Sequence, residues 1–319
     1  MSDRNENDVA AGWKAAPMRP HGRAGKPWAL ILAGGDGVRL RPLTRHIAGD
    51  DRPKQFCALV GRDTLWEQTR RRAQLCVAPS RVVSVVTESH ERYYAPLLAC
   101  ERTTRVVVQP ENRGTGPGLL YSLLRIARLD SRAAVVVLPS DHWVSDDRAF
   151  MAQVDVALRT LSTHPDVVTL LGVAPDGSEA EYGWIEPGAP LSGTARRVAR
   201  FWEKPSADVA AIVRARGGLW NTFVMVGRVD VFLALFADTV PTLYEAFAPL
   251  HASLGRAAEL HAARQVYAGV ASVDFSKFVL QAAPERLGVV PVRGVGWNDL
   301  GDPTRLLMTQ DVVRHAVAG

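Results

Sequence analysis

The apolar residues of this chain occur in short runs separated by longer amphipathic segments, and this alternation limits the fold more than any other feature. Runs at 28–32, 82–87, 105–108, 134–138 and 167–172 are typical of buried strands. Helical periodicity occupies the intervals at 65–76, 118–129 and 150–161. Strands that alternate with helices form a mostly parallel sheet covered on both faces. The sequence therefore predicts an α/β fold whose ligands bind beyond the carboxyl ends of the strands.

The pattern begins and changes at two places along the chain. Residues 1–26 are polar, mixed in charge and without apolar periodicity, which predicts a disordered N-terminal extension. From Tyr182 the pattern predicts a hairpin, a strand at 197–202, and helices at 208–216 and 229–237. Since no linker separates the two parts, we predict one domain over 27–319, with the later part covering the ligand.

Composition excludes several classes of protein. Of the 319 residues, 47% are hydrophobic and 22% are charged, which is typical of a chain that folds in water. Without a long apolar run or a signal-type N terminus, the sequence predicts no membrane partner and a cytoplasmic location. The net charge of +5 is dispersed, so no nucleic-acid partner is expected. Cys57, Cys76 and Cys100 lack the spacing of a disulfide framework or a zinc site.

A glycine-rich loop follows the first predicted strand. Gly34, Gly35 and Gly37 would let backbone N–H groups approach a phosphate, and Arg39 would add charge. The loop lacks the Gly-Lys-Ser/Thr ending of a P-loop, and it fails the dinucleotide fingerprint because Leu40 stands where a third glycine is required. An ordinary strand-to-helix turn is the alternative.

Lysine is rare in this chain. There are five lysines against 33 arginines, and Lys54, Lys204 and Lys277 are those beyond residue 26. A compact ammonium suits a phosphate group, so Lys54 and Lys204 are candidate phosphate ligands. The alternative is that they are surface lysines.

Two aspartates are candidate metal ligands. Asp141 follows the most apolar strand and should therefore lie at the ligand edge of the sheet, where a hard cation could join it to phosphates. Asp299 lies in a turn bounded by glycines. The alternatives are a helix N-cap for Asp141 and an ordinary turn residue for Asp299.

Eight segments in order carry a resemblance to a known family. They are LAGGDGVRLRPLTR at 32–45, RPKQF at 52–56, QPENRGTGP at 109–117, LPSDH at 138–142, EYGWIE at 181–186, FWEKP at 201–205, LWNT at 219–222 and GWNDLG at 296–301. Together they resemble the sugar-1-phosphate nucleotidyltransferases, and PKQF is nearest to the mannose-1-phosphate guanylyltransferase branch.

This resemblance implies a fold and a reaction. The implied fold is a Rossmann-like, mostly parallel mixed sheet flanked by helices. The implied reaction joins mannose 1-phosphate and GTP into GDP-mannose and pyrophosphate, with Mg²⁺ as cofactor. Another hexose 1-phosphate or another nucleotide is an alternative, as is a catalytically silent paralogue that binds a nucleotide sugar and regulates a partner.

The resemblance also implies roles for residues of this sequence. It assigns Mg²⁺ to Asp141 and Asp299, the triphosphate to Arg39 and Lys54, and the sugar phosphate to Lys204. Arg39, Lys54, Asp141 and Lys204 form the predicted catalytic set. The predicted substrate-binding residues are Gly34, Gly35, Gly37, Gln109, Arg113, Thr115, Gly183, Glu186, Glu203, Asn221 and Asp274. The predicted partners are the two small-molecule substrates, with a homodimer as the assembly considered.

Three residues depart from the family pattern. Phe223 stands where the family has glycine, and Gly114 and Gly116 stand where it has Asn and Ala. The first change affects the predicted sugar pocket, and the other two remove a side-chain amide from the segment that faces the base. Because the sequence ends soon after Gly301, we also expect neither an isomerase domain nor a full C-terminal β-helix.

Overall fold

A nine-stranded sheet forms the centre of the computed structural model, which describes residues 26–99 and 105–318. The strand order is β3-β2-β1-β4-β9-β6-β10-β8-β7, and β11 and β5 form a separate pair. The strands are β1 (Trp28–Ala33), β2 (Val82–Thr87), β3 (Arg105–Gln109), β4 (Ala134–Pro139), β5 (Trp143–Val144), β6 (Val168–Val173), β7 (Gly183–Ser192), β8 (Ala195–Glu203), β9 (Leu219–Arg228), β10 (Leu287–Val292) and β11 (Trp297–Asn298).

Most neighbouring strands of the first half are parallel. β1 pairs in parallel with β2 and β4, β2 with β3, and β6 with β10, whereas β8 and β9 run antiparallel to their neighbours. This confirms the predicted mixed, mostly parallel sheet. The carboxyl ends of β1, β2, β3, β4 and β6 consequently meet at one edge.

Helices cover both faces of the sheet. They are α1 (Arg41–Ala48), α2 (Leu65–Ala73), α3 (Glu91–Ala99), α4 (Thr115–Leu129), α5 (Asp147–Thr163), α6 (Ala207–Ala215), α7 (Val229–Thr239), α8 (Pro241–Ala246), α9 (Glu259–Gly269) and α10 (Pro303–Ala318). Alternate residues of β1 enter different cores: Leu30 packs with α4 and α7, whereas Ile31 packs with α2 and α5. Full burial of such a side chain contributes about 1.5–3 kcal/mol, so this alternation fixes the register of the central strand.

The position of β9 brings later parts of the chain to the ligand edge. β9 lies antiparallel between β4 and β6, so its first residues adjoin the carboxyl ends of both strands. Trp220 pairs with Val173, and Asn221 pairs with Gly172. The later part of the chain is therefore continuous with the first sheet, rather than a separate layer.

The elements predicted from the sequence all appear, with changed ends. The helix expected over 150–161 begins earlier, at Asp147, because the Asp146 side chain accepts a hydrogen bond from the Ala149 N–H and caps it. The predicted extension over 1–26 lies outside the described residues apart from Lys26, as does Cys100. Cys57 and Cys76 are free thiols.

Within the ranges that the structure describes, no single helix is both long and apolar enough to cross a membrane. Among these residues, only α7 taken together with the segment Pro241–Ala252 reaches that length and apolar character, and the two are bent by 115° relative to each other.

Candidate active site

Two neighbouring cavities open at the carboxyl edge of the sheet. The first, the glycine-loop cavity, has a volume of about 380 Å³, and the second, the carboxylate cavity, about 310 Å³. Asp141 and His142 line both. The glycine-loop cavity is lined by Leu32, Gly34, Gly35, Gln55, Val85, Gln109, Asn112, Gly114, Thr115, Gly118, Leu119, Pro139, Ser140, Asp141, His142, Phe223 and Asp274. The carboxylate cavity is lined by Gly37, Val38, Arg39, Leu40, Lys54, Asp141, His142, Asp299 and Gly301.

Buried polar side chains hold the glycine-rich loop in place. The Gln55 amide donates to the carbonyls of Ala33 at 3.0 Å and Gly35 at 2.7 Å, and the Thr87 hydroxyl donates to the Gly34 carbonyl at 2.8 Å. These bonds engage the carbonyl groups of the loop. The loop backbone itself therefore forms the wall of the cavity. Such a loop is suited to close approach of a ligand.

Gln109 forms the next link behind the loop. Its amide nitrogen donates to the Thr87 hydroxyl at 2.8 Å, and its oxygen accepts from the Tyr267 hydroxyl at 3.3 Å. A Cβ added to Gly34 would lie 2.2 Å from the Gln109 amide nitrogen, and one added to Gly118 would lie 2.6 Å from its oxygen. Glycine at both positions therefore makes room for this buried amide.

Gly37 and Arg39 form the wall between the loop and the second cavity. Gly37 has a φ of +59°, and a Cβ there would lie 3.0 Å from the backbone nitrogen of Lys54. The Arg39 side chain pairs with Glu181 at 2.6 Å, and each side chain is 62% exposed. An ion pair so exposed is weak, so Arg39 can exchange Glu181 for a more highly charged ligand.

Lys54 joins the two segments that carry the candidate metal ligands. Its ammonium lies 3.1 Å from the Asp141 carboxylate and donates to the carbonyls of Asp299 at 2.7 Å and Leu300 at 3.1 Å. An ammonium has three N–H donors, and these three acceptors account for them. Lys54 therefore stabilises the loop after β4 against the turn after β11.

Asp299 is held by a clamp formed by Tyr182 and Arg305. Its Oδ1 accepts from the Tyr182 hydroxyl at 2.9 Å, from the Gly301 N–H at 3.0 Å and from the Arg305 guanidinium at 3.2 Å. The guanidinium lies 4.5 Å from the centre of the Tyr182 ring and also pairs with Glu179 at 2.9 Å. Because the bonds between Asp299 and other described side chains fall on Oδ1, Oδ2 is left for a ligand.

Asp141 stays ionised in this site. Burial opposes its charge, but Lys54 and His142 outweigh that effect and hold the pKa of the carboxyl below its usual range. Burial lowers the pKa of His142, whose Nε2 lies 3.4 Å from the carboxylate and whose ring contacts Trp297 edge-on at 5.2 Å. His142 therefore packs beside this loop, in contact with both Asp141 and Trp297.

The donor set fits a hard divalent cation. Asp141 and Asp299 line one cavity, and both offer carboxylate oxygen, the ligand that Mg²⁺ prefers. No group of three or more His, Cys, Asp or Glu residues that could hold a metal occurs in 26–99 or 105–318. A cation here would thus take its other ligands from phosphates and water, which is the usual arrangement for Mg²⁺.

The segment before α4 is fixed against the segment at 273–275. Val273 N–H donates to the Arg113 carbonyl at 3.0 Å, and Gly116 N–H donates to the Val273 carbonyl at 2.8 Å. Gly114 has a φ of +81°, and a Cβ there would lie 2.7 Å from the Val273 carbonyl oxygen. The departure from the family pattern at Gly114 thus has a steric cause. The same pairing places Asp274 at the cavity.

Several predicted residues lie away from the lining of both cavities. Glu186 accepts from the Trp202 indole N–H at 2.7 Å, and the Arg113 guanidinium pairs with Glu111 at 2.9 Å. Lys204 is exposed and has a φ of +48°.

Three other predicted residues lie close together, namely Gly183, Glu203 and Asn221. A Cβ on Gly183 would meet Glu203 at 3.0 Å and Asn221 at 3.3 Å. Thr115, which does line a cavity, accepts the Phe275 N–H at 2.8 Å.

Glu203 titrates in an unusual range. Burial, reinforced by the neighbouring Asp274 charge, raises the pKa of Glu203 to about 7, although Lys204 and Ser276 act in the opposite direction. The folded state therefore keeps a proton that the unfolded state loses near the usual pKa of 4.5. As pH rises from about 4.5 to 7, this group removes stability.

We expect Glu203→Gln to be more stable than the parent at pH 8 by a margin wider than at pH 5, since glutamine carries no charge at either pH. The difference in Tm between variant and parent should grow by about 2 °C between these pH values, a small effect because the group is partly exposed. Thermal unfolding at both pH values measures it. Asp274→Asn should reduce the pH dependence of the parent, and an equal Tm difference at both pH values would contradict the assignment.

Several residues that position the groups lining the cavities were not identified from the sequence. Gln55, Tyr182 and Arg305 hold the loop and Asp299, and His90 lies 3.1 Å from Asp36 of the glycine-rich loop. Gln55 and Tyr182 lie inside two of the segments that carry the resemblance, so that signal was present. Arg305 and His90 lie in no such segment, and only the folded chain brings them to the site.

The sheet order, with both cavities at its carboxyl edge, defines a nucleotidyltransferase-type α/β fold. The sequence profile described as nucleotidyl transferase matches residues 28–315, and the chain belongs to this family. The resemblance seen in the sequence is thereby confirmed.

Three known proteins illustrate the similarity. Xanthan biosynthesis protein XanB of Xanthomonas campestris pv. campestris (strain B100) is 30% identical over 282 residues, which cover 87% of this chain and 58% of XanB. Mannose-1-phosphate guanylyltransferase of Salmonella muenchen is 26% identical over 298 residues, covering 91% and 61%. The chain thus spans about three-fifths of the length of these relatives. A solved structure from Thermus thermophilus, described as a mannose-1-phosphate geranyltransferase, is 33% identical with a TM-score of 0.75, covering 87% of this chain and 77% of that one.

Proposed function

We propose that this chain joins mannose 1-phosphate and GTP into GDP-mannose and pyrophosphate, and that residues 27–319 form the catalytic domain. The observation that carries the proposal is the arrangement of Asp141, Asp299 and Lys54. The two carboxylates line one cavity, and Lys54 contacts both of the segments that supply them. The glycine-loop cavity adjoins this group through Asp141. The names of the guanylyltransferase relatives support the same reaction.

The proposed chemistry is an in-line attack of a sugar-phosphate oxygen on the α-phosphorus of GTP. The P–O bond to the new oxygen forms while the bond to pyrophosphate breaks. A phosphate monoester with a second pKa of about 6 is mostly ionised at neutral pH, so the nucleophile needs no strong base. The protein must position two anions and neutralise their charge.

Asp141 and Asp299 would hold Mg²⁺, which when bound supplies charge neutralisation at the phosphates. Lys54 keeps the two carboxylate segments together, and Arg39 contributes a second cation at the mouth of the carboxylate cavity. Lys204 is exposed beside Glu203, where it can meet the phosphate of the sugar. Glu203 and Asp274 accept from sugar hydroxyls, and the Asn221 amide donates to one.

Base selection in this proposal depends on backbone groups. The two side-chain amides that line the base-facing part of the cavity are already engaged: Gln109 bonds Thr87 and Tyr267, and Asn112 bonds Asp36 and the Gly114 N–H. A backbone N–H or C=O group that lies close to the base can hydrogen-bond a guanine edge as well as a side-chain amide does. Leaving one buried polar group unpaired costs about 1–3 kcal/mol, which sets the expected selectivity.

With mannose 1-phosphate in excess and equal GTP, ATP, UTP and dTTP, we expect GDP-mannose to exceed each other product by about 30-fold, the equivalent of about 2 kcal/mol. Chromatography of the nucleotide sugars measures this directly. A different dominant product would contradict the guanylyl assignment but keep the transferase. No turnover with any combination of nucleotide and sugar phosphate would favour the silent, regulatory paralogue.

A further inference from the structure

Phe223 has a strained backbone at the wall of the glycine-loop cavity. Its φ is +59°, in the left-handed region that residues with a Cβ disfavour and glycine readily adopts. Lys204 and Leu300 are the other described non-glycine residues with positive φ, and neither lines this cavity. Strain of this kind persists only where surrounding contacts maintain it, and it is concentrated at ligand sites.

A β-bulge places Phe223 in this conformation. Leu170 of β6 pairs with Met225 and Gly172 pairs with Asn221, so two steps along β6 correspond to four along β9. The extra residues of β9 lie at the cavity, and a bulge of this kind redirects a side chain. The structure therefore departs from regular pairing at the point where the phenyl ring meets the open space.

Neighbouring side chains stabilise the bulge. Asn221 Oδ1 accepts the Phe223 N–H at 3.1 Å. The Thr222 hydroxyl donates to the Leu171 carbonyl at 2.7 Å and accepts the Val224 N–H at 3.2 Å. These bonds satisfy backbone groups that regular strand pairing would otherwise satisfy. They also commit the Asn221 oxygen and leave its NH₂ group as the donor for a ligand.

The ring lies next to the polar groups proposed to bind the sugar. It packs edge-on against Phe275, with ring centres 6.2 Å apart, and Phe275 directly follows the cavity residue Asp274. Asp274 and Glu203 are close enough for the charge of one to affect the other. An apolar ring and the Asp274 carboxylate thus line the same cavity, with Glu203 near that carboxylate, and a molecule with a C–H face and hydroxyl edges would match this combination.

We propose that Phe223 determines specificity in the sugar subsite: its ring packs on the C–H face of a hexose 1-phosphate and occupies the space that an N-acyl substituent would need. The inference rests on the proposed nucleotidyl transfer and deepens it. Hexose hydroxyls meet Asp274, Glu203 and the Asn221 amide, whereas the phenyl face offers no partner for a polar acetamido group.

The test compares the parent with Phe223→Gly and Phe223→Asn. Both substitutions suit a left-handed backbone, so both variants should fold, and thermal unfolding checks this. Pyrophosphate release is measured with mannose 1-phosphate, glucose 1-phosphate and N-acetylglucosamine 1-phosphate at saturating GTP. The last two differ only in the acetamido group. Phe278→Ala is the matched control, since this exposed phenylalanine does not line the cavity.

We expect Phe223→Gly to lower kcat/KM for mannose 1-phosphate at least tenfold, mainly through KM. The ratio of kcat/KM for N-acetylglucosamine 1-phosphate to that for glucose 1-phosphate should rise at least tenfold. KM for GTP should stay within twofold, and Phe278→Ala should match the parent. An active parent with an unchanged sugar ratio in both Phe223 variants would overturn this inference alone. A parent without turnover for any substrate pair would overturn the proposed function and this inference with it.

Discussion

Asp141→Asn is expected to reduce kcat/KM at least about 100-fold while the protein stays folded. Asparagine keeps the shape of the side chain but removes the charge, and a bound divalent cation contributes several kcal/mol to stabilising charge at the reacting phosphates. Pyrophosphate release over a Mg²⁺ titration measures the loss. Asp299→Asn should behave in the same way, with apparent Mg²⁺ affinity reduced in both variants.

Asp146→Asn is the matched control for this substitution. Asp146 lies in the same connection between β4 and α5 but caps α5 through the Ala149 N–H, and asparagine caps a helix equally well. Its activity should stay within twofold of the parent, and its Tm should be unchanged. Parental turnover in Asp141→Asn would refute the metal assignment.

Lys54→Gln should also lower kcat/KM at least about 100-fold, with the largest change in the KM for GTP. The ammonium bonds the Asp141 carboxylate and two carbonyls of the turn at Asp299, so its loss would affect both carboxylate segments and remove a charge from the side proposed to bind the triphosphate. Lys54→Arg should not restore activity, because a planar guanidinium cannot reproduce the contacts of a compact ammonium.

Kinetics for both substrates distinguish this role from others. Lys204→Ala should weaken use of the sugar phosphate, whereas exposed Lys277→Gln should leave both KM values unchanged. If Lys54→Gln raised only the KM for the sugar phosphate, the proposed division of labour between the two lysines would be wrong.

Local patterns in the sequence were sufficient to predict the first strands and the helices between them. β1 and β4 have buried apolar runs with polar or glycine-rich segments directly after them, so both the strands and their ligand-edge loops follow from periodicity. The alternative interpretation of Asp141 as an N-cap is wrong, because Asp146 caps α5. For Asp299, the turn and the carboxylate cavity coexist: Oδ1 accepts the Gly301 N–H while the residue lines the cavity.

Features set by long-range contacts could not be predicted in this way. The insertion of β9 between β4 and β6 depends on pairing between segments far apart in the chain, and no periodicity specifies the order of strands. The contact between Gly114 and Val273 is likewise invisible until the two segments meet. Arg305 reaches Asp299 from the C-terminal helix, although nothing in its local sequence marks it.

The clamp on Asp299 couples the docking of that C-terminal helix to the binding of a cation at the site. Arg305 belongs to α10, and its guanidinium and an incoming cation compete for the negative charge of one carboxylate. Two equilibria that share a group are reciprocally coupled. Binding of the cation would weaken the docking of α10 by a certain free energy. Detachment of α10 would strengthen binding of the cation by the same amount. Any fusion, truncation or neighbouring protein that changes how this helix docks would therefore change the affinity of the carboxylate cavity for a cation.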